Sequence, residues 1–174
     1  MGFYSADGSV KTVLDRGNGV TASASFTPAA AAYGALDIMD AAKQFSFTYA
    51  DGSPVTKGAL IRVYTTILRI DVSALQASEG AYSLAMYNVT PPSAQADNAA
   101  WTLASADLAA YLGTIALSTP VDAGAALYVQ AQPTANQDIK LLSTETSIYG
   151  ELITTPGFTP TAVARQVTLY GVVL

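Results

Sequence analysis

The side chains in this chain that could do chemistry are carboxylates, ten tyrosines and one tryptophan, because histidine and cysteine are both absent. Without imidazole or thiolate, neither a Ser-His-Asp nor a Cys-His arrangement can be assembled, and the commonest transition-metal ligands are missing too. The lack of cysteine also excludes disulfides and leaves the redox compartment open. Asp37 and Asp40 stand three apart, with Asp51 nearby and Glu79, Glu145 and Glu151 far along the chain. A carboxylate pair could share acid–base work or hold Ca²⁺. No D-x-D-x-D-G loop accompanies it, and Asp at strand ends commonly closes a turn through its own side chain. The turn reading is therefore preferred.

Three further patterns weaken on inspection. Gly17-Asn18-Gly19-Val20-Thr21-Ala22 fits a loose dinucleotide fingerprint, but that fingerprint needs a βαβ unit, and Val20–Phe26 alternates like a strand. Asn-Gly before a strand signals a hairpin turn instead. Asn88-Val89-Thr90 is formally a glycosylation sequon, without a secretion signal to give it meaning. Asp97-Asn98 ahead of Trp101 could set a polar pair beside the only indole, as in a sugar-stacking platform. A lone Trp after a short turn more commonly anchors a loop on the core, and tyrosines belong in strands as readily as at interfaces. The expectation is no catalytic residue, no cofactor-binding residue, no metal-binding residue and no cofactor.

Whatever positions these residues is mostly β. In Lys43–Ala50, Phe45, Phe47 and Tyr49 alternate with Gln44, Ser46 and Thr48, which predicts a strand with one buried and one wet face. Asp51-Gly52-Ser53-Pro54 then turns the chain. Ala59–Val72 is a long β-rich run with two parities: Leu60, Tyr64, Leu68, Ile70 and Val72 on one, Ile61, Val63 and Ile67 on the other. That length predicts a strand that bends or passes between sheets. Ala81–Val89, Leu127–Gln130, Ile139–Leu142, Ile148–Thr154 and Val163–Leu174 supply further strands. In the last, Val167, Leu169, Gly171 and Val173 form the inner parity, and its apolar end is expected to lie in a sheet or an interface.

One segment reads as helix. Ser105–Gly113 has Ser at the cap, Asp107 in the first turn, Leu108, Tyr111 and Leu112 on one face and Gly after the last turn. A shorter helical turn is expected around Ala94–Ala100, after Pro91-Pro92-Ser93. Phe26-Thr27-Pro28 and Phe158-Thr159-Pro160 echo each other as strand starts, too briefly to make a repeat. The predicted fold is all-β, an antiparallel β-sandwich, jelly-roll-like, with one or two short connector helices. It is expected to form one domain over 1–174, with residues 1–20 as an N-terminal arm or hairpin.

Composition narrows the role. Hydrophobic residues make up 51% and charged residues only 12% of the 174, against a usual charged share of ~25%. A lone globule needs polar cover; this chain relies on Ser, Thr, Gln and Ala, which suits a protein packed against neighbours. With eight basic and thirteen acidic residues the net charge is −5, and no Lys/Arg cluster is available to neutralise phosphates, so direct nucleic-acid contact is not expected. Met1–Gly8 has neither a basic leader nor an apolar run, Ala6 departs from the myristoylation pattern, and no stretch approaches about 18 apolar residues. Secretion, lipidation and membrane insertion are not expected.

Several stretches in order resemble a family of small all-β virion proteins of tailed bacteriophages and prophages. They are Ala32-Tyr33-Gly34-Ala35-Leu36-Asp37, Gly58–Val63, Pro92-Ser93, Asp97-Asn98-Ala99-Ala100-Trp101, Ser105-Ala106-Asp107, Tyr111-Leu112-Gly113, Ser147–Leu152 and Leu169–Leu174. Trp101 stands where the family more often has Phe. The resemblance implies a β-sandwich in the virion, on the capsid exterior, acting as a decoration or cement protein. Its partner would be the major capsid protein, and the protein would be a homo-oligomer, a trimer by preference; no catalytic residue is implied. The alternative is a spike- or tail-associated module that binds a host surface or glycan through Tyr and Trp101. An enzyme ranks third.

Overall fold

The computed structural model describes residues 3–4, 10–11, 17–71, 79–133 and 137–174. Their alternating segments become thirteen strands, and every pairing between them is antiparallel. The first two, β1 (Phe3–Tyr4) and β2 (Val10–Lys11), pair with each other. The residues between Lys11 and Gly17, where a hairpin into Asn18-Gly19 was expected, lie outside the described residues, as does Val72.

A seven-stranded sheet runs in the order β5 (Thr48–Tyr49), β3 (Gly19–Phe26), β13 (Arg165–Val173), β6 (Leu60–Ile70), β10 (Leu127–Ala131), β9 (Val121–Asp122). Its seventh strand, β11 (Gln137–Lys140), also pairs with β6. A four-stranded sheet runs β4 (Ile38–Ser46), β12 (Ser147–Thr154), β7 (Tyr82–Tyr87), β8 (Tyr111–Leu117). The sheets share one core, with Val20, Phe26, Leu68, Val167 and Leu169 from the large sheet and Phe45, Leu84, Ile115, Ile148 and Leu152 from the small one. Burying each such side chain contributes about 1.5–3 kcal/mol, so this shared layer holds the sandwich closed.

The two parities of β6 have a local cause. Tyr170 pairs with Thr65 but Gly171 pairs with Val63, leaving Tyr64 as an extra residue on β6. Before this bulge Ile61 and Val63 point inward; after it Thr66, Leu68 and Ile70 do. The strand therefore changes parity while staying in one sheet. Its length serves two partners on one side, β11 along residues 60–63 and β10 along residues 66–70. Gly171 fits opposite the bulge because a Cβ there would sit 2.8 Å from the Arg62 carbonyl oxygen.

The passage between sheets occurs elsewhere. Lys43–Ala50, read as one strand, divides at Phe47: β4 belongs to the small sheet and β5 to the large one. Phe47 is fully buried at the crossing, with its N–H donating to Thr146 and its carbonyl accepting from Val55.

The connector helices do not form, and no described residue is helical. At residues 105–110 there is a run of turns. The Asp107 carbonyl accepts from the N–H groups of Ala110 and Tyr111, closing one turn. The Asp107 side chain, instead of capping, accepts from Ser93 N–H at 2.9 Å and Ser93 Oγ at 2.6 Å. Tyr111 then joins β8 opposite Tyr87, so strand pairing overrides the local helical pattern. No helical turn forms around Ala94–Ala100, since Ala94 and Asn98 have φ of 44° and 62°, which a right-handed helix cannot include, and Ala100 instead bridges to Asp37. The two Phe-Thr-Pro segments also differ: Phe26 closes β3, whereas Phe158 forms a lone bridge to Tyr33.

Candidate functional site

The richest gathering of polar and aromatic side chains lies on the outer face of the small sheet. Residues 88–110 leave β7, cross that face and return to β8, covering Ala85, Tyr87 and Ile153 with Trp101, Leu103 and Ala110. Backbone bonds fasten the covering segment at both ends. Asn88 N–H donates to the Ala110 carbonyl at 2.9 Å; Trp101 N–H donates to Leu36, and Asn98 and Ile38 exchange bonds with neighbours across the seam.

Trp101 is the anchor of this layer. Its ring packs on the cluster, and its Nε1–H donates to the Tyr87 hydroxyl at 3.1 Å, while that hydroxyl donates to Glu151 Oε2 at 2.9 Å. Glu151 is 1% exposed, and its Oε1 has no hydrogen-bond partner. Burial pushes its carboxyl up, the Asp107 charge adds to this, and the Tyr87 hydroxyl and, more weakly, the Trp101 N–H work against it. The Tyr87 hydroxyl is likewise raised, mainly by burial.

The carboxylates singled out by spacing are turn builders. Asp40 accepts from Thr27 N–H at 2.8 Å and from Ala41 N–H at 2.7 Å, and pairs with Lys43 at 3.0 Å. Burial acts to raise its pKa but is outweighed by these bonds, so the carboxyl is held below the usual range. Asp37 accepts from Gly34 N–H, and Asp51 from Ser53 N–H and Oγ. The structure does bring Asp97 to Asp40: Asp97 accepts from Asp40 N–H, Ala29 N–H and the Tyr33 hydroxyl. Leu36, Asp40 and Asn98, all at positive φ, crowd this corner. Glu145 sits in the turn before β12, and its carbonyl accepts from Gly58. Among the described residues no three acidic side chains converge as metal ligands.

Glu79 has a role its spacing did not signal. Its carboxylate lies 3.0 Å from the guanidinium of Arg165, with both side chains fully buried. Arg165 also donates to the carbonyls of Thr161 and Val163, and the Tyr82 hydroxyl donates to Glu79. A charge pair this deep is tolerable only because its hydrogen-bonding capacity is filled from several elements. Its partners are 86 residues apart, so no local pattern announces it. The nearest signal is a lone Arg on the inner parity of an otherwise apolar strand.

The outer face of the large sheet contrasts with the covered one. One row runs Ser25, Gln166, Arg69, Tyr128, Val121 across five strands; the next runs Ser23, Thr168, Ile67, Gln130. Arg69 pairs with Asp71 at 2.7 Å, and farther along Arg62 grips Asp138 with two bonds of 2.7 and 2.8 Å. These pairs leave an open surface of hydroxyls, amides and scattered apolar groups, including Val121 at 67% exposure. A shallow depression of about 420 Å³ beside it, between the ends of β7, β8 and β10, is lined by Ser, Gln, Ala, Thr and Leu117, with Tyr82 the one aromatic residue and no charged group. Nothing there converges on a reacting atom.

No protein-family model matches this chain, and no curated protein does. Among solved structures, a chain of the X-ray structure of the Triatoma virus empty capsid is similar over 94% of this chain and 92% of that chain, at 13% identity and a TM-score of 0.35. A likeness that slight carries no conclusion about fold or role.

Proposed function

We propose that this protein is a structural component of a virus particle, a decoration protein that docks on the outer surface of the major capsid lattice. The observation that supports it most is the outer face of the seven-stranded sheet, which no other described residue covers. It is broad, its arginines are already paired, and its hydroxyls and amides suit close uncharged contact with another protein. The low charge of the whole chain and the ordered resemblance to phage virion proteins point the same way. Each copy needs only a modest interface, because many copies bridging neighbouring capsomers act together against expansion. Self-association as a trimer would match the local three-fold sites of such a lattice. The role asks for no catalysis, cofactor or direct contact with nucleic acid.

Counting copies in purified particles tests this reading. A copy number on the scale of the capsid lattice is expected. A handful per particle, with binding to cells or glycans, would instead favour a spike or tail module that recognises the host.

A further inference from the structure

We propose that Glu151 is a proton-controlled pin beneath the covering segment: neutral, it holds residues 88–110 tightly against the small sheet, and ionised, it loosens them. The geometry carries the proposal. Glu151 lies on β12, the strand between β4 and β7, with its side chain on the outer face and 1% exposed. One oxygen accepts from the Tyr87 hydroxyl of β7, and the other makes no hydrogen bond of ordinary geometry with any described residue, although the Trp101 N–H lies close enough to favour the charged form slightly. A buried, half-satisfied carboxylate is costly when charged and much less so when protonated.

Among the described residues, no cation offsets that charge. Across β7 stand Ala85 and Tyr87, with Tyr111 of β8 packed against the Tyr87 ring at 5.7 Å. From above come Trp101, whose N–H slightly favours the charged form, and Asp107, an acid that raises its cost further. On the β4 side, three residues, Asp40–Ala42, bulge opposite Glu151. The one charge among them is committed elsewhere, Asp40 being bonded to Thr27 N–H, Ala41 N–H and Lys43. On its own strand the nearest residues of the same face are Tyr149 and Ile153. Burial, with Asp107 adding to it, thus favours the protonated carboxyl.

The sign follows from linkage. A carboxyl whose folded pKa is raised contributes stability that is complete below its unfolded pKa and is lost as pH rises through the folded one. The covering segment should therefore be tightest in mild acid and loosen toward and through the region above the ordinary carboxylate range. Asp40, shifted the other way, loses its contribution only as pH falls below that range, so the two effects occupy different windows. Loosening would free the surface that the segment displays, which includes Val89 and Leu108, the latter 59% exposed.

The chain has one tryptophan, and it sits in this network, so its fluorescence reads the pin directly. Emission of the full-length protein should change between about pH 4 and about pH 8, with a midpoint above the ordinary carboxylate range. Glu151→Gln, which keeps the shape and cannot ionise, should abolish the change and hold the acid-form spectrum throughout. Tyr87→Phe removes the hydroxyl that favours the charged carboxylate, and should move the midpoint to higher pH. A flat wild-type profile, or an unchanged transition in Glu151→Gln, overturns the proposal. Should Glu151→Gln fail to fold, Tyr87→Phe decides, because an unmoved midpoint would exclude Glu151 as the titrating group.

Discussion

The central strand of each sheet records what lies outside it. In β13, between β3 and β6, buried Arg165, Val167, Leu169 and Gly171 alternate with more exposed Gln166, Thr168, Tyr170 and Val172. In β12, between β4 and β7, seven of eight residues are buried, including Ser147, Glu151 and Thr154. Both strands hold an equivalent place, so the difference comes from the third layer: residues 88–110 lie over β12, and no described residue is laid over the rows that cross β13. A strand covered on both faces loses its period of two, and a strand with one open face keeps it. The close fit under β12 is visible at Gly150, where a Cβ would meet the Phe45 ring at 2.7 Å. Uncovered faces remain available to other chains, whereas covered ones are occupied by their own.

The comparison breaks most completely if β13 is cut. Deleting Tyr170–Leu174 removes the bulge partner Gly171, the inward Val173 and pairing to both β3 and β6 along that stretch. Backbone groups beside an apolar core would lose their partners on two strands at once. The expected outcome is insoluble or protease-sensitive protein, checked by limited proteolysis and circular dichroism. A truncated chain that stays folded but no longer loads onto particles would make this stretch an interface arm instead.

The legible part of the fold is the part with a period. β3, β10 and β13 alternate openly, and their spans were readable to within a few residues. β6 alternates too, but the extra residue Tyr64 shifts its parity midway, which looks in sequence like a passage between sheets. The real passage at Phe47 is invisible, because an aromatic alternation continues unbroken through Phe45, Phe47 and Tyr49 while the partners change. Ser105–Gly113 misled for another reason. A cap-like Ser and a following Asp are local signals, and Asp107 is committed to Ser93, 14 residues away. The candidate site was least legible. Trp101 hinted at an anchored loop, but nothing local indicated that Glu151 would lie under it, or that Glu79 would meet Arg165.

Trp101→Ala sharpens the comparison on the covered side. The ring is half-buried, so the expected cost is about 3 kcal/mol, the low end for losing a large aromatic side chain, together with the bond to Tyr87. The loss should concentrate in the covering layer. Hydrogen exchange should quicken at Asn88 and Trp101, which donate to Ala110 and Leu36, while the inner strands of the large sheet stay protected. A stable variant that loses binding to cells or glycans would instead make the indole a ligand platform.

The smallest effect on stability, and the sharpest test of the open face, belongs to Thr168. Its hydroxyl shares a 2.8 Å hydrogen bond with Ser23 on the outer side of the large sheet, an exposed contact that contributes little beside water. Thr168→Lys should therefore change unfolding free energy by no more than about 1 kcal/mol, as surface substitutions generally do. The same change sets a charge in the middle of a face whose arginines are already paired with Asp71 and Asp138. If that face docks on a capsid, the lysine would have to be desolvated against a surface shaped for hydroxyls, at a cost far above its effect on folding. Thermal unfolding and particle loading, measured on one preparation, separate the two: melting nearly unchanged, loading strongly reduced. Full loading would show that the capsid contact lies elsewhere on the molecule, and the uncovered face of β13 would then need another explanation.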